Sequence, residues 1–148
     1  MIEFFIIFSR FECALKASNF ANGNNERVSA NWYTFINSIN PNFDSDKTPE
    51  LKQAVDYLIN NPPKIQNLDN GHLRWRDRPF KENDQLITKL SLSIRDIRNN
   101  LFHGGKFHGN YQEDVSRNYI LLKNSILILN EWINLNESVK HNFLEPIF

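Results

Sequence analysis

Residues 86–103 read LITKLSLSIRDIRNNLFH. Leu86, Leu90, Ile94, Ile97 and Leu101 recur at intervals of four, four, three and four. That is the period of a helix with one apolar face, and it predicts a helix over about 82–102. Gly104-Gly105 supplies the stop, because glycine tolerates the left-handed backbone on which many helices end. Arg98 comes one residue after Ile97 and so flanks the buried stripe. Arg95 stands one turn earlier on the same side. His103 falls just beyond the last turn, where it can converge with Arg98.

The flanking segments follow the same period. A first helix is predicted over about 2–19, with Phe4, Phe5, Phe8, Phe11, Leu15 and Ser18 on one side. A second, over about 26–39, carries Trp32, Phe35, Ile36 and Ile39 and stops before Pro41. Thr48-Pro49-Glu50 is a helix start: a capping hydroxyl, a proline tolerated at the first position, and an acid at the positive end of the dipole. Leu51, Ala54, Val55, Leu58 and Ile59 continue it to Asn61-Pro62-Pro63. The last long helix starts near Gln112, and its Val115, Tyr119, Leu122, Ile126, Leu129 and Ile133 form a seam suited to a bundle or a dimer. The tail adds a short helix stopped by Pro146. Residues 64–80 are different. Two runs flank Asp69-Asn70-Gly71, which reads as either a short β-hairpin or a plain loop. No other segment reads as strand. The expected fold is all-α: an up-and-down bundle of four to five helices forming one domain over 1–148, with a small loop or β-hairpin insertion near 64–80.

Composition narrows the function. Lys plus Arg and Asp plus Glu are both 17, so the net charge is zero. That excludes a surface wrapped throughout in nucleic acid but leaves room for a local basic site. Cys13 is the single cysteine and lies in an apolar helical pattern, which predicts a buried, inert thiol. It allows no internal disulfide and no cysteine-based zinc site. Met1 to Phe8 resembles the core of a signal peptide, but Glu3 replaces the positive start and Arg10 and Glu12 interrupt the run. No segment reaches the roughly 18 apolar residues of a membrane span. The expectation is a soluble, cytoplasmic protein with no membrane partner.

Arg98 and His103 suit phosphate chemistry. Arginine presents a fixed fork of donors to phosphate oxygens, and histidine exchanges a proton near neutral pH. On RNA, the histidine can take the 2′-hydroxyl proton while the arginine stabilises the charged phosphorane. No metal or other cofactor is required. The plain alternative is a histidine bonded to the last helix carbonyls and an arginine on a solvated flank. The 22 asparagines are scattered along the chain, so Asn99 carries little weight by itself. Arg74-Trp75-Arg76-Asp77-Arg78 is a second candidate, with arginines for phosphates and a tryptophan for stacking a base. Its alternative is a loop clamped by Asp77, with Trp75 packed on the bundle. Glu12, with Arg10, either faces the cleft and orients Arg98 or forms a surface ion pair. His72, His108 and His141 read as surface histidines, with His108 close enough to the motif to serve as a reserve candidate.

Arg98-Asn99-Asn100-Leu101-Phe102-His103 resembles the signature of the HEPN superfamily: Arg, four to six residues, then His, with a polar residue following the Arg. The setting is similar too, a helical chain of this length with the motif ending one long helix before another. The resemblance implies a metal-independent ribonuclease, often a toxin or anti-phage effector. Arg98 and His103 would be catalytic, with Asn99 as a supporting polar group. It implies a homodimer in which both Arg–His pairs meet in one cleft, RNA as substrate, and a nucleotidyltransferase-like antitoxin as a partner. Some members are non-catalytic modules that bind a nucleotide, an RNA or a protein, and that reading stands as the alternative.

Overall fold

The computed structural model describes residues 1–102 and 111–145, with side chains described through 102 and again from 117. Helix α1 (Ile2–Ala17) is followed by a small antiparallel hairpin of β1 (Ala21–Gly23) and β2 (Val28–Ala30). Helix α2 (Trp32–Ile39) runs into a 3-10 turn at Asn40–Asn42, and α3 (Pro49–Asn60) comes next. A second antiparallel hairpin joins β3 (Lys64–Asp69) to β4 (His72–Asp77). Helices α4 (Leu86–Phe102), α5 (Tyr111–Ile133) and α6 (Glu137–Leu144) complete the described chain.

The chain is therefore mixed α/β, which corrects the all-α expectation. Six helices are joined by two hairpins among the described residues, and one hairpin occupies ground assigned to a helix. The reason is local turn chemistry around Asn24. Its Oδ1 accepts from the backbone N–H of Glu26 (2.9 Å) and Arg27 (3.3 Å), folding the chain back before a helix can begin. Gly23 sits at φ +154°, where a Cβ would lie 2.2 Å from the Arg27 carbonyl oxygen. Asn31 then caps α2, its Oδ1 accepting from Thr34 N–H at 3.0 Å, while its Nδ2 donates to Asn22 Oδ1 at 3.1 Å. Cap and hairpin thus hold each other.

Helix α1 ends in a Schellman turn. Asn19 takes a positive φ of 68°, and the Phe20 N–H reaches the Leu15 carbonyl at 2.9 Å. Helix α3 starts as its sequence requires, with Thr48 Oγ1 accepting from Leu51 N–H at 3.1 Å. The β3–β4 turn is the two-residue Asn70-Gly71 with both residues at positive φ, as a type I′ hairpin demands.

The core holds an aromatic stack formed by α1 and α2. The Trp32 ring stacks on Phe11 at 5.1 Å and on Phe8 at 5.5 Å. Leu90, Ile94, Ile97 and Leu101 of α4 are buried as their spacing predicts, but Leu86 is exposed and Ile87 fills that level instead. Among the described side chains of α5, the buried ones are Leu121, Leu122, Ser125, Ile128, Leu129, Trp132 and Ile133. Tyr119, expected in the seam, is 66% exposed. Cys13 is exposed too, not buried. Among the described residues, no helix is long and apolar enough to cross a membrane.

Gly23→Ala tests the Asn24 turn. That backbone region is nearly closed to other residues and its occupation costs about 1–3 kcal/mol. The variant should melt lower by about 2–4 °C per kcal/mol lost, read by thermal unfolding followed by circular dichroism. An unchanged melting temperature would mean the turn relaxes freely.

Candidate functional site at the end of α4

Helix α4 is buried around most of its circumference, with Ser91, Ser93, Asp96 and Asn100 buried besides its apolar residues. Solvent reaches a narrow strip that includes Arg95, Asn99 and Phe102. Arg98 borders this strip, half-buried. Its Nη1 donates to Asn99 Oδ1 at 3.1 Å, and its guanidinium carbon lies 4.5 Å from the centre of the Phe102 ring. No carboxylate forms an ion pair with Arg98 among the described residues. Beyond Asn99, its guanidinium has no hydrogen-bond partner among the described residues. His103 and His108 lie outside the described residues.

Arg95 is exposed, yet enough protein surrounds its guanidinium to lower its pKa from the ordinary arginine value. The positive charge of Arg78 adds to that lowering, while Glu12 and Asp96 oppose it. Arg95 still remains a cation at any physiological pH. Glu12 therefore neighbours Arg95, and its Oε2 accepts from the Trp32 indole N–H at 2.9 Å. Arg10 does not pair with Glu12. It donates to the carbonyls of Phe143 (2.6 Å) and Glu145 (3.1 Å), fastening α1 to the C-terminal end of α6.

Three contacts root the β3–β4 hairpin in the helices. Asn100 Nδ2 donates to the Lys64 carbonyl at 2.8 Å, and Arg117 donates to the Pro62 carbonyl at 3.2 Å. The third is ionic. Arg78, just past β4, donates from Nε and from one terminal nitrogen to both oxygens of Asp96 at 2.6 and 2.7 Å. This hydrogen-bonded pairing raises the Arg78 pKa further. Asp96 is only 4% exposed. Releasing Arg78 would leave that carboxylate buried and unpaired at a cost of about 3–5 kcal/mol. A charged hydrogen bond to a phosphate returns only about 1.5–3 kcal/mol. Arg78 is therefore a structural tie. Arg74 and Arg76 stand exposed on β4, and Arg76 makes one 3.3 Å bond to the Asp77 carbonyl.

Asp96 and Asn100 were not singled out from sequence. The signal was available: Ser93, Asp96 and Asn100 repeat at three and four, a polar line beside the apolar stripe. Among the described residues, no group of three His, Cys, Asp or Glu could hold a metal ion. Compared with known proteins, the chain matches no family model, no curated protein and no solved structure.

Asp96→Ala should cost about 3 kcal/mol in urea unfolding, since it strands Arg78 and loosens the hairpin. The double replacement Arg78→Met with Asp96→Leu should recover most of that loss, because an apolar pair replaces buried charges at little cost. Additive losses in the double variant would argue against the pair as one unit.

Proposed function

We propose that this chain is an HEPN-type, metal-independent endoribonuclease that acts as a cytoplasmic homodimer, in the role of a toxin or anti-phage effector. The observation that carries the reading is the state of Arg98. It stands near the end of α4, five residues before the motif histidine in sequence, oriented by Asn99 and Phe102 and with no carboxylate pairing it among the described residues. An arginine held by a neutral amide and a ring keeps its positive charge for an incoming anion.

The chemistry follows from the pair. His103 takes the proton of a ribose 2′-hydroxyl, and the freed oxygen attacks the adjacent phosphorus. Arg98 binds the non-bridging oxygens as negative charge builds on them. The bond from phosphorus to the 5′-oxygen breaks, and that oxygen takes a proton from water as it leaves, giving a 2′,3′-cyclic phosphate and a 5′-hydroxyl. Asn99 fixes the Arg98 fork so that its donors need no reorganisation at that moment. In the homodimer the two Arg98–His103 pairs share one cleft, and a nucleotidyltransferase-like antitoxin is the partner that would silence it.

Purified protein should cleave RNA in the presence of EDTA and leave cyclic phosphate ends. His103→Ala should slow cleavage by about 100-fold or more, the ordinary contribution of a positioned acid–base group. Asn99→Ala should have a smaller effect than Arg98→Ala. Equal cleavage by wild type and His103→Ala, measured on gel-resolved labelled RNA, would sink the assignment.

A further inference from the structure

The β3–β4 hairpin has two unlike faces. Opposed residues of an antiparallel pair share a face, and the register sets Ile65 opposite Arg76, Asn67 opposite Arg74 and Asp69 opposite His72. The other face holds Lys64 with Asp77, Gln66 with Trp75, and Leu68 with Leu73. On β3, Ile65 and Asn67 are half-buried while Lys64, Gln66 and Leu68 are exposed. The face with Arg74 and Arg76 is therefore turned toward the body of the protein. Leu68 and Leu73, at 72% and 59% exposure, look outward.

We infer that the inward face of the hairpin is a guide for single-stranded RNA, which lies against Arg74 and Arg76 and passes over Arg95 to Arg98. The inference rests on the ribonuclease reading and adds how the strand reaches the cleaving pair. Alternate residues on a strand are about 7 Å apart, comparable to the step between successive phosphates of an extended single strand, so Arg74 and Arg76 can hold neighbouring phosphates. Asp69, at the hairpin tip, is the acid on this face, and His72 stands opposite it.

The track continues onto α4. Asp96 and Asn100, which anchor the hairpin, lie on one line of the helix. At about 100° per residue, Arg98 lies roughly 160° around the helix from that line. The sector between them is the solvent-facing strip with Arg95 and Asn99. Arg95 adjoins Asp96, whose carboxylate holds Arg78, so it stands beside the hairpin root. Arg78 itself is neutralised by Asp96 and holds the track without binding the strand.

The test uses His103→Ala protein, so that RNA is bound and not cut, with a fluorescein-labelled 12-nucleotide oligouridine read by anisotropy over a series of KCl concentrations. Arg74→Glu with Arg76→Glu should weaken binding about tenfold or more. It should also reduce the slope of log affinity against log salt by about 1.4, the value for two phosphate contacts on a single strand. Arg74→Lys with Arg76→Lys should retain binding, which separates charge from folding. Leu68→Ser with Leu73→Ser should leave affinity unchanged. Unchanged affinity and slope in the charge-reversed variant would overturn the guide, as would a loss confined to the Leu68/Leu73 variant, which would mark the outward face as the binding one. RNA cleavage by otherwise wild-type protein, with binding indifferent to Arg74 and Arg76, removes the guide and leaves the ribonuclease. Binding through these arginines without any cleavage keeps the guide and removes the ribonuclease.

Discussion

The bidentate contact between Asp96 and Arg78 is the constraint on which the rest of the candidate site depends. A carboxylate buried in the middle of α4 requires a partner, and the chain supplies one from 18 residues upstream. That partner drags the end of β4 onto the helix. A lone two-stranded hairpin is marginal in water, so the six-residue strands of β3 and β4 owe their place to this tie and to the Asn100 bond at the other strand's start. The two anchors are one helical turn apart and bracket Arg98 and Asn99 in sequence. The position of the hairpin and the position of the motif are thus one structural fact.

The same logic sorts the other polar residues near the core. Arg10 and Glu12 are two residues apart but serve different elements, because on a helix such neighbours point about 200° apart. Arg10 meets the final carbonyls of α6, where the dipole favours a cation. Glu12 meets the indole N–H of a tryptophan whose ring is already stacked on Phe11. A buried indole without an acceptor is costly, and Glu12 removes that cost for Trp32. Trp132 has no such acceptor for its Nε1.

Helix positions were legible in the sequence wherever apolar period and cap chemistry agreed. Thr48-Pro49-Glu50 opens α3 at the expected residue, and the Leu90-to-Leu101 stripe is buried as spaced. The failures have a common cause. The 21–30 hairpin carries three-residue strands, too short for alternation to register, and its turn depends on a side-chain acceptor at Asn24 that looks like one asparagine among many. Tyr119 kept the helical period but fell on the outer side of α5, since period fixes a face and not which face is covered. Arg98 and Asn99 could be placed from sequence because they lie inside a strong helix. The role of Arg78 could not, because a pairing across 18 residues leaves no periodic trace.

A chain with zero net charge can still present a cationic surface, provided its acids are already committed. Asp96 is taken by Arg78, and Asp56 and Glu131 are bonded to Lys52 and Lys47, while Glu12 accepts from the neutral Trp32 indole and its charge acts on Arg95. Arg74, Arg76, Arg95 and Arg98 are left without an ion pair among the described residues. Charges screened over about 8 Å at physiological salt act locally, so an anion responds to the groups nearest it and not to the net charge of the whole chain. Neutral composition and a local anion-seeking surface are therefore compatible, and the burial of Asp96 is what makes them so at the hairpin root. Were that carboxylate exposed, it would repel a phosphate at the point where the hairpin meets α4.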